Sequence, residues 1–109
     1  MFKMTQSSTY TWPVTVLMPA DGGKFEKSTF DVEFRRLTLD EIKALESQDE
    51  TGLAQCKAIV AGWKGVVDDS GDAVPFSDGA LDTLLDWAPV RAAILTAFRD
   101  SITGARAKN

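Results

Sequence analysis

The chain has 109 residues, room for one domain with a small core, and its hydrophobic and charged fractions are those of an ordinary globular protein. A net charge of −4 argues against a phosphate-binding role, because nucleic-acid affinity comes largely from Lys and Arg. No histidine and a single cysteine, Cys56, exclude a Ser-His-Asp triad, a Cys-His dyad, a histidine metal site and an internal disulfide.

The opening residues 1–9 are polar and read as frayed or only partly strand-like. No basic-then-apolar leader is present, and no apolar run reaches the roughly 18 residues that span a bilayer. A soluble, cytoplasmic protein is expected. Tyr10 to Met18 reads as a strand with Val14, Val16 and Met18 on one face, and Pro13 favours an edge or strand-start position. Pro19-Ala20-Asp21-Gly22-Gly23 is a turn signal. Phe25 to Leu37 reads as the return strand, with Phe30, Val32 and Phe34 on one face and Asp31, Glu33 and Arg35 on the other. Phe25 has the opposite parity, which calls for a bulge or for packing near the turn.

Thr38-Leu39-Asp40-Glu41 is a capping box, followed by Ile42 and Leu45 at helical spacing, so a helix is expected over 39–48. Leu53, Cys56, Ile59, Val60 and Trp63 form a helical stripe, which predicts a helix over 52–64 ended by Gly65. Asp68 to Asp72 is an acidic turn, either a small hairpin or an extended loop. Ser77 is a helix N-cap, with Phe76 and Leu81 placed as a hydrophobic staple, and this helix runs to about Trp87. Pro89 opens the last helix, whose stripe is Val90, Ile94, Phe98 and Ile102, and Gly104 ends it. The fold class that follows is α+β. An antiparallel β-hairpin over 10–36 packs on about four short helices within 38–104, and a loose basic tail follows over 105–109. The open strand edge and the small core invite homo-oligomers.

Little chemistry is on offer. Cys56 lies on an apolar stripe and reads as a packed core thiol. Asp68, Ser70 and Asp72 match the first, third and fifth ligand positions of a calcium loop. That pattern fails at Ala73, where glycine is needed, and at Gly79, where a Glu should stand. Asp82 and Asp86 read as an exposed polar face. The glycine pairs lack phosphate-loop spacing. No catalytic, cofactor-binding or metal-binding residue is assigned. Core packing is the first reading for each of Trp12, Trp63 and Trp87.

Residues 58–109 carry a resemblance. The run Val60-Ala61-Gly62-Trp63-Lys64-Gly65-Val66-Val67-Asp68, then Gly71, Val74-Pro75-Phe76-Ser77, Leu81, Leu84, Leu85, Phe98 and the ending Thr103-Gly104-Ala105-Arg106-Ala107-Lys108-Asn109 is similar to the tail assembly chaperones of long-tailed bacteriophages and prophages. The resemblance implies a non-enzymatic factor of the host cytoplasm. It would bind the tape measure protein, keep it soluble, help to recruit tail tube subunits, and be left out of the mature virion. It also implies a frameshifted longer product that reaches the tube protein, and it brings no catalytic residue. No cofactor is expected, and the acidic charge and the lack of a long apolar run leave no nucleic acid or membrane partner expected. The alternative is a structural virion component of the tail or head–tail connector. On the residues themselves, the last helix is the expected partner surface, with Trp87, Arg91, Phe98 and Arg99 as its contacts.

Overall fold

The structure, a computed structural model, describes residues 1–48 and 50–105. Its elements run β1 (Thr9–Ala20), β2 (Lys24–Arg35), α1 (Leu39–Gln48), α2 (Leu53–Ile59), β3 (Val60–Lys64), α3 (Asp78–Leu85) and α4 (Ala88–Thr103). The strands form one antiparallel sheet in the order β1-β2-β3. The fold is α+β, with the expected N-terminal hairpin and four helices, and the sheet has a third strand.

β1 and β2 pair without interruption from Thr9 opposite Arg35 to Ala20 opposite Lys24. No bulge therefore reconciles the parity of Phe25. It stands opposite Pro19 on the outer face, 63% exposed. The Arg36 amide donates to the Ser8 carbonyl. In a regular antiparallel ladder the even-numbered residues of β1 then turn their main-chain groups to β2, and the odd-numbered ones turn theirs to the open edge. Pro13 and Pro19 are both odd, so neither removes a ladder bond. This is how an edge strand accommodates proline.

Val14, Val16, Val32 and Phe34 are buried on the inner face, with Tyr10, Trp12, Met18 and Phe30 around them. Helix α4 packs along β1 and closes this core with Val90, Ile94, Ala97 and Phe98. Phe98 meets Phe34 edge-on at 5.4 Å. Cys56 and Ile59 from α2, and Leu81 and Leu85 from α3, complete it. Asp31, Glu33, Leu17 and Lys64 are exposed on the outer face. β3 pairs only with Asp31 to Phe34 of β2, so the turn half of the hairpin projects past the third strand. The molecule is accordingly elongated, 47 × 28 × 28 Å, with a radius of gyration of 14.6 Å, against about 13 Å for a compact chain of this length.

The helix expected over 52–64 is corrected. It stops at Ile59, and Val60 is already extended. Ile59 and Val60 stay buried, but Trp63 sits on β3 opposite Val32, and Ala61 is absorbed where the β2–β3 register shifts. Gly65 adopts the expected left-handed backbone (φ 89°), yet it ends a strand and not a helix. The other boundaries follow their signals. Thr38 and Glu41 exchange both bonds of the capping box, Ser77 Oγ accepts the Ala80 amide, and Gly104 ends α4 in left-handed conformation. Of the basic tail expected over 105–109, residues 106–109 lie outside the described residues, as does the Lys-Asn ending.

Candidate functional site

Among the described residues, no three His, Cys, Asp or Glu side chains stand together so as to hold a metal ion. The acidic turn uses its own carboxylate. Asp68 Oδ1 accepts the main-chain N–H groups of Ser70 at 2.9 Å and Asp72 at 3.0 Å, while Gly71 donates to the Asp68 carbonyl. That is a self-bonded Asx turn at the head of a short hairpin, with Val67 bridged to Ala73. Asp82 reaches Lys57 at 3.0 Å in an exposed ion pair. Such a pair contributes little. Cys56 is fully buried, with its Sγ 3.9 Å from the Arg91 carbonyl.

The stretch that carries the resemblance is a joint. Trp63 Nε1 donates to the Val74 carbonyl at 2.8 Å, and its ring stands edge-on to Phe76 at 5.0 Å. Phe76 thus packs on Trp63 immediately before the Ser77 cap. β3 and the start of α3 are pinned together around the acidic turn.

An apolar cleft lies between α1, α2 and α4, and it is the candidate site. Leu37, Ile42 and Leu45 approach from one side, and Ile59, Leu95, Phe98 and Ile102 from the other, with Glu46, Gln55 and Arg99 among its lining. The space left is about 20 Å³, room for no more than about one water. It is not a small-molecule pocket. What fills it is α1, and α1 is lightly held: none of its residues is fully buried, whereas α2, α3 and α4 each bury two or more. Leu39 at its start is 65% exposed. At that start Glu41 is held below its ordinary pKa by the Thr38 amide that donates to it and by the Thr38 hydroxyl.

The four expected contact residues are not brought together. Phe98 is core, 6% exposed. Arg91 turns inward: Nε and Nη2 donate to the Leu85 carbonyl at 3.0 and 2.8 Å, and Nη1 to the Thr51 carbonyl at 3.2 Å. Arg99 is exposed at the cleft. Trp87 is 57% exposed at the α3–α4 corner, so the core reading does not hold for it. It lies twelve residues from Arg99, about 18 Å along a helix axis. Leu37, Ile42, Leu45, Leu95 and Ile102 are cleft residues that the sequence did not single out as a site. Leu37 read as the end of the return strand, and the one signal of the other four was helical spacing, which does not say which helix covers which. Protein-family models, curated proteins and solved structures were all compared with this chain, and none of them matches it.

Proposed function

We propose that this chain is a non-enzymatic assembly factor of the tail-assembly-chaperone kind. In this reading it holds an apolar helix of the tape measure protein in the host cytoplasm, keeps that protein soluble while tail tube subunits are recruited, and is left out of the mature virion. One observation supports the reading most: an apolar cleft closed by a helix with no buried residue. A partner helix with two apolar side chains spaced like Ile42 and Leu45 fits the same lining once α1 moves aside. Arg99 and Glu46 at the cleft offer it charged contacts of both signs.

The test is co-expression with a tape measure protein, taken from the gene next to this chain's if a long helical open reading frame is found there. Its soluble fraction should rise with the wild-type chain and fall with Ile102→Asp or Arg99→Glu, at unchanged thermal stability of the variants. Phe98→Asp is unsuitable, because it would charge the core. Equal insolubility with and without the chain overturns the reading. Full rescue by both variants moves the surface away from the cleft.

The projecting hairpin favours a second reading, a structural part of the tail or connector. Leu17 and Phe25, 51% and 63% exposed near its tip, could lock into a neighbouring subunit. Mass spectrometry of purified virions separates the two, since a structural subunit is present in many copies.

A further inference from the structure

The open edge of β1 is unusual in its chemistry. Exposed edges are commonly blunted by charge, yet Thr9–Ala20 contains no charged residue. β2 beside it carries Lys24, Glu26, Lys27, Asp31, Glu33 and Arg35. Along this edge runs a groove of about 360 Å³, walled by Trp12, Pro13 and Leu17 of β1 and floored by Ala92, Ala93 and Thr96 of α4. The carbonyls of Thr11, Pro13 and Leu17 point to it by the alternation set at Ser8. An extended segment laid there would find main-chain acceptors on one side and a shallow helix surface of small residues beneath it, with Asp100 as the one charged residue of the lining.

Two β1 edges cannot meet directly. α4 packs along β1, at the rim of the sheet. Bringing two such edges to about 4.8 Å would drive the two α4 helices closer than the roughly 8–10 Å that packed helices need. The occupant must therefore be a strand with no helix beneath it. Among the described residues, the N-terminal arm is such a segment. Residues 1–8 lie outside the sheet and the helices, and Met1, Phe2 and Met4 are nearly or wholly exposed, at 127%, 86% and 95%. Phe2 and Met4 share a parity, so an extended arm would turn both toward α4. Eight extended residues span about 26 Å. The five-residue step from Trp12 to Leu17 takes about 16 Å of that, which leaves a connector. Folding back onto its own edge would require a reversal at Ser8, whose carbonyl is already held by Arg36.

We infer that residues 1–6 of a second copy of this chain lie extended in this groove, as an added strand on the β1 edge, with Ser7 and Ser8 as the connector held by Arg36 of their own chain, and that the exchange is reciprocal. A reciprocal exchange uses the arm and the groove of both copies, so the assembly closes as a dimer and does not grow into a fibre. This inference stands apart from the tail-assembly reading.

Light scattering after size exclusion should give twice the 11.9 kDa chain mass for the wild type and the single mass for Phe2→Asp/Met4→Asp. The arm variant cannot unfold the core, because both side chains are exposed. The groove variant Ala92→Arg/Thr96→Arg, also at exposed positions, should be monomeric as well. Mixing chains that carry Phe2→Cys with chains that carry Thr96→Cys should give a mixed disulfide at least tenfold faster than either chain alone. A wild-type monomer at about 100 μM, where interfaces of modest size still associate, overturns the inference. So does a dimer that survives the arm variant, or one lost with the arm variant but kept with the groove variant.

Discussion

Arg91 decides between a partner contact and an internal clamp. Its guanidinium forks onto the Leu85 carbonyl through Nε and Nη2 and reaches the Thr51 carbonyl through Nη1. Leu85 ends α3, where carbonyls lack intrahelical partners and a cation is favoured. Hydrogen bonds to a charged donor contribute about 1.5–3 kcal/mol each. Two of the three share one acceptor and the guanidinium is only half-buried, so Arg91→Met should cost about 2 kcal/mol in all. A domain of this size has a total of roughly 5–15 kcal/mol. With a urea slope of about 2 kcal/mol/M, the midpoint of unfolding should fall by about 1 M with the slope unchanged. Arg91→Lys should recover less than half, because an ammonium cannot fork. Tryptophan fluorescence through a urea titration measures both. A loss below about 0.5 kcal/mol for Arg91→Met, the scatter of ordinary surface changes, would refute the clamp.

Phe98→Ala should cost about 3–5 kcal/mol, because its buried ring leaves a cavity against Phe34. Trp87→Ala should stay within about 0.5 kcal/mol, and thermal melts of the pair check the contrast. Trp63→Phe keeps an aromatic ring against Phe76 but loses the bond to the Val74 carbonyl, a loss of about 1 kcal/mol. It should also speed proteolysis between Val66 and Val74 severalfold, and unchanged cleavage would show that the joint is not pinned there. Glu41 has a lowered folded pKa relative to 4.5. Its contribution is therefore full above the unfolded value and is lost as pH falls through the folded one. Protection of the α1 amides, taken relative to their intrinsic exchange rates at each pH, should fall below the ordinary glutamate range while that of α4 holds, and Glu41→Gln should remove that pH dependence.

Where local chemistry governs, the fold was readable. The capping box, the Ser77 cap, Pro89 and Gly104 are set by residues within one turn of each boundary, so each lands where its signal stands. Residues 60–64 were not readable, for a physical reason. Ile59, Val60 and Trp63 keep helical spacing, yet Val60 and Trp63 also suit a strand, and the register shift that absorbs Ala61 hides the alternation. Gly62 in a helix interior would cost about 1 kcal/mol, and the β2 edge offers a ladder instead. That tertiary alternative is visible only once the hairpin is placed. Phe25 misled in the opposite direction. Its hydrophobicity suggested cover, but the unbroken register fixes its face regardless of its chemistry.

The site was less legible because α4 serves three directions at once. Val90, Ile94, Ala97 and Phe98 face the core. Leu95, Arg99 and Ile102 turn to the cleft under α1, while Ala92, Ala93 and Thr96 turn to the groove beside β1. A stripe read from the sequence merges the first two sets, since Ile102 continues the Val90–Ile94–Phe98 spacing and differs only in what lies opposite. Small residues on the third face give no hydrophobic signal at all. The arrangement has a consequence for function. The two surfaces share no lining residue and lie on opposite flanks of one helix, with the core between them. A dimer joined through the β1 groove would leave both α1 clefts within reach of a partner that displaces α1. Two clefts fixed on one dimer would hold neighbouring segments of a long helical partner together, at an effective concentration that a single chain cannot supply.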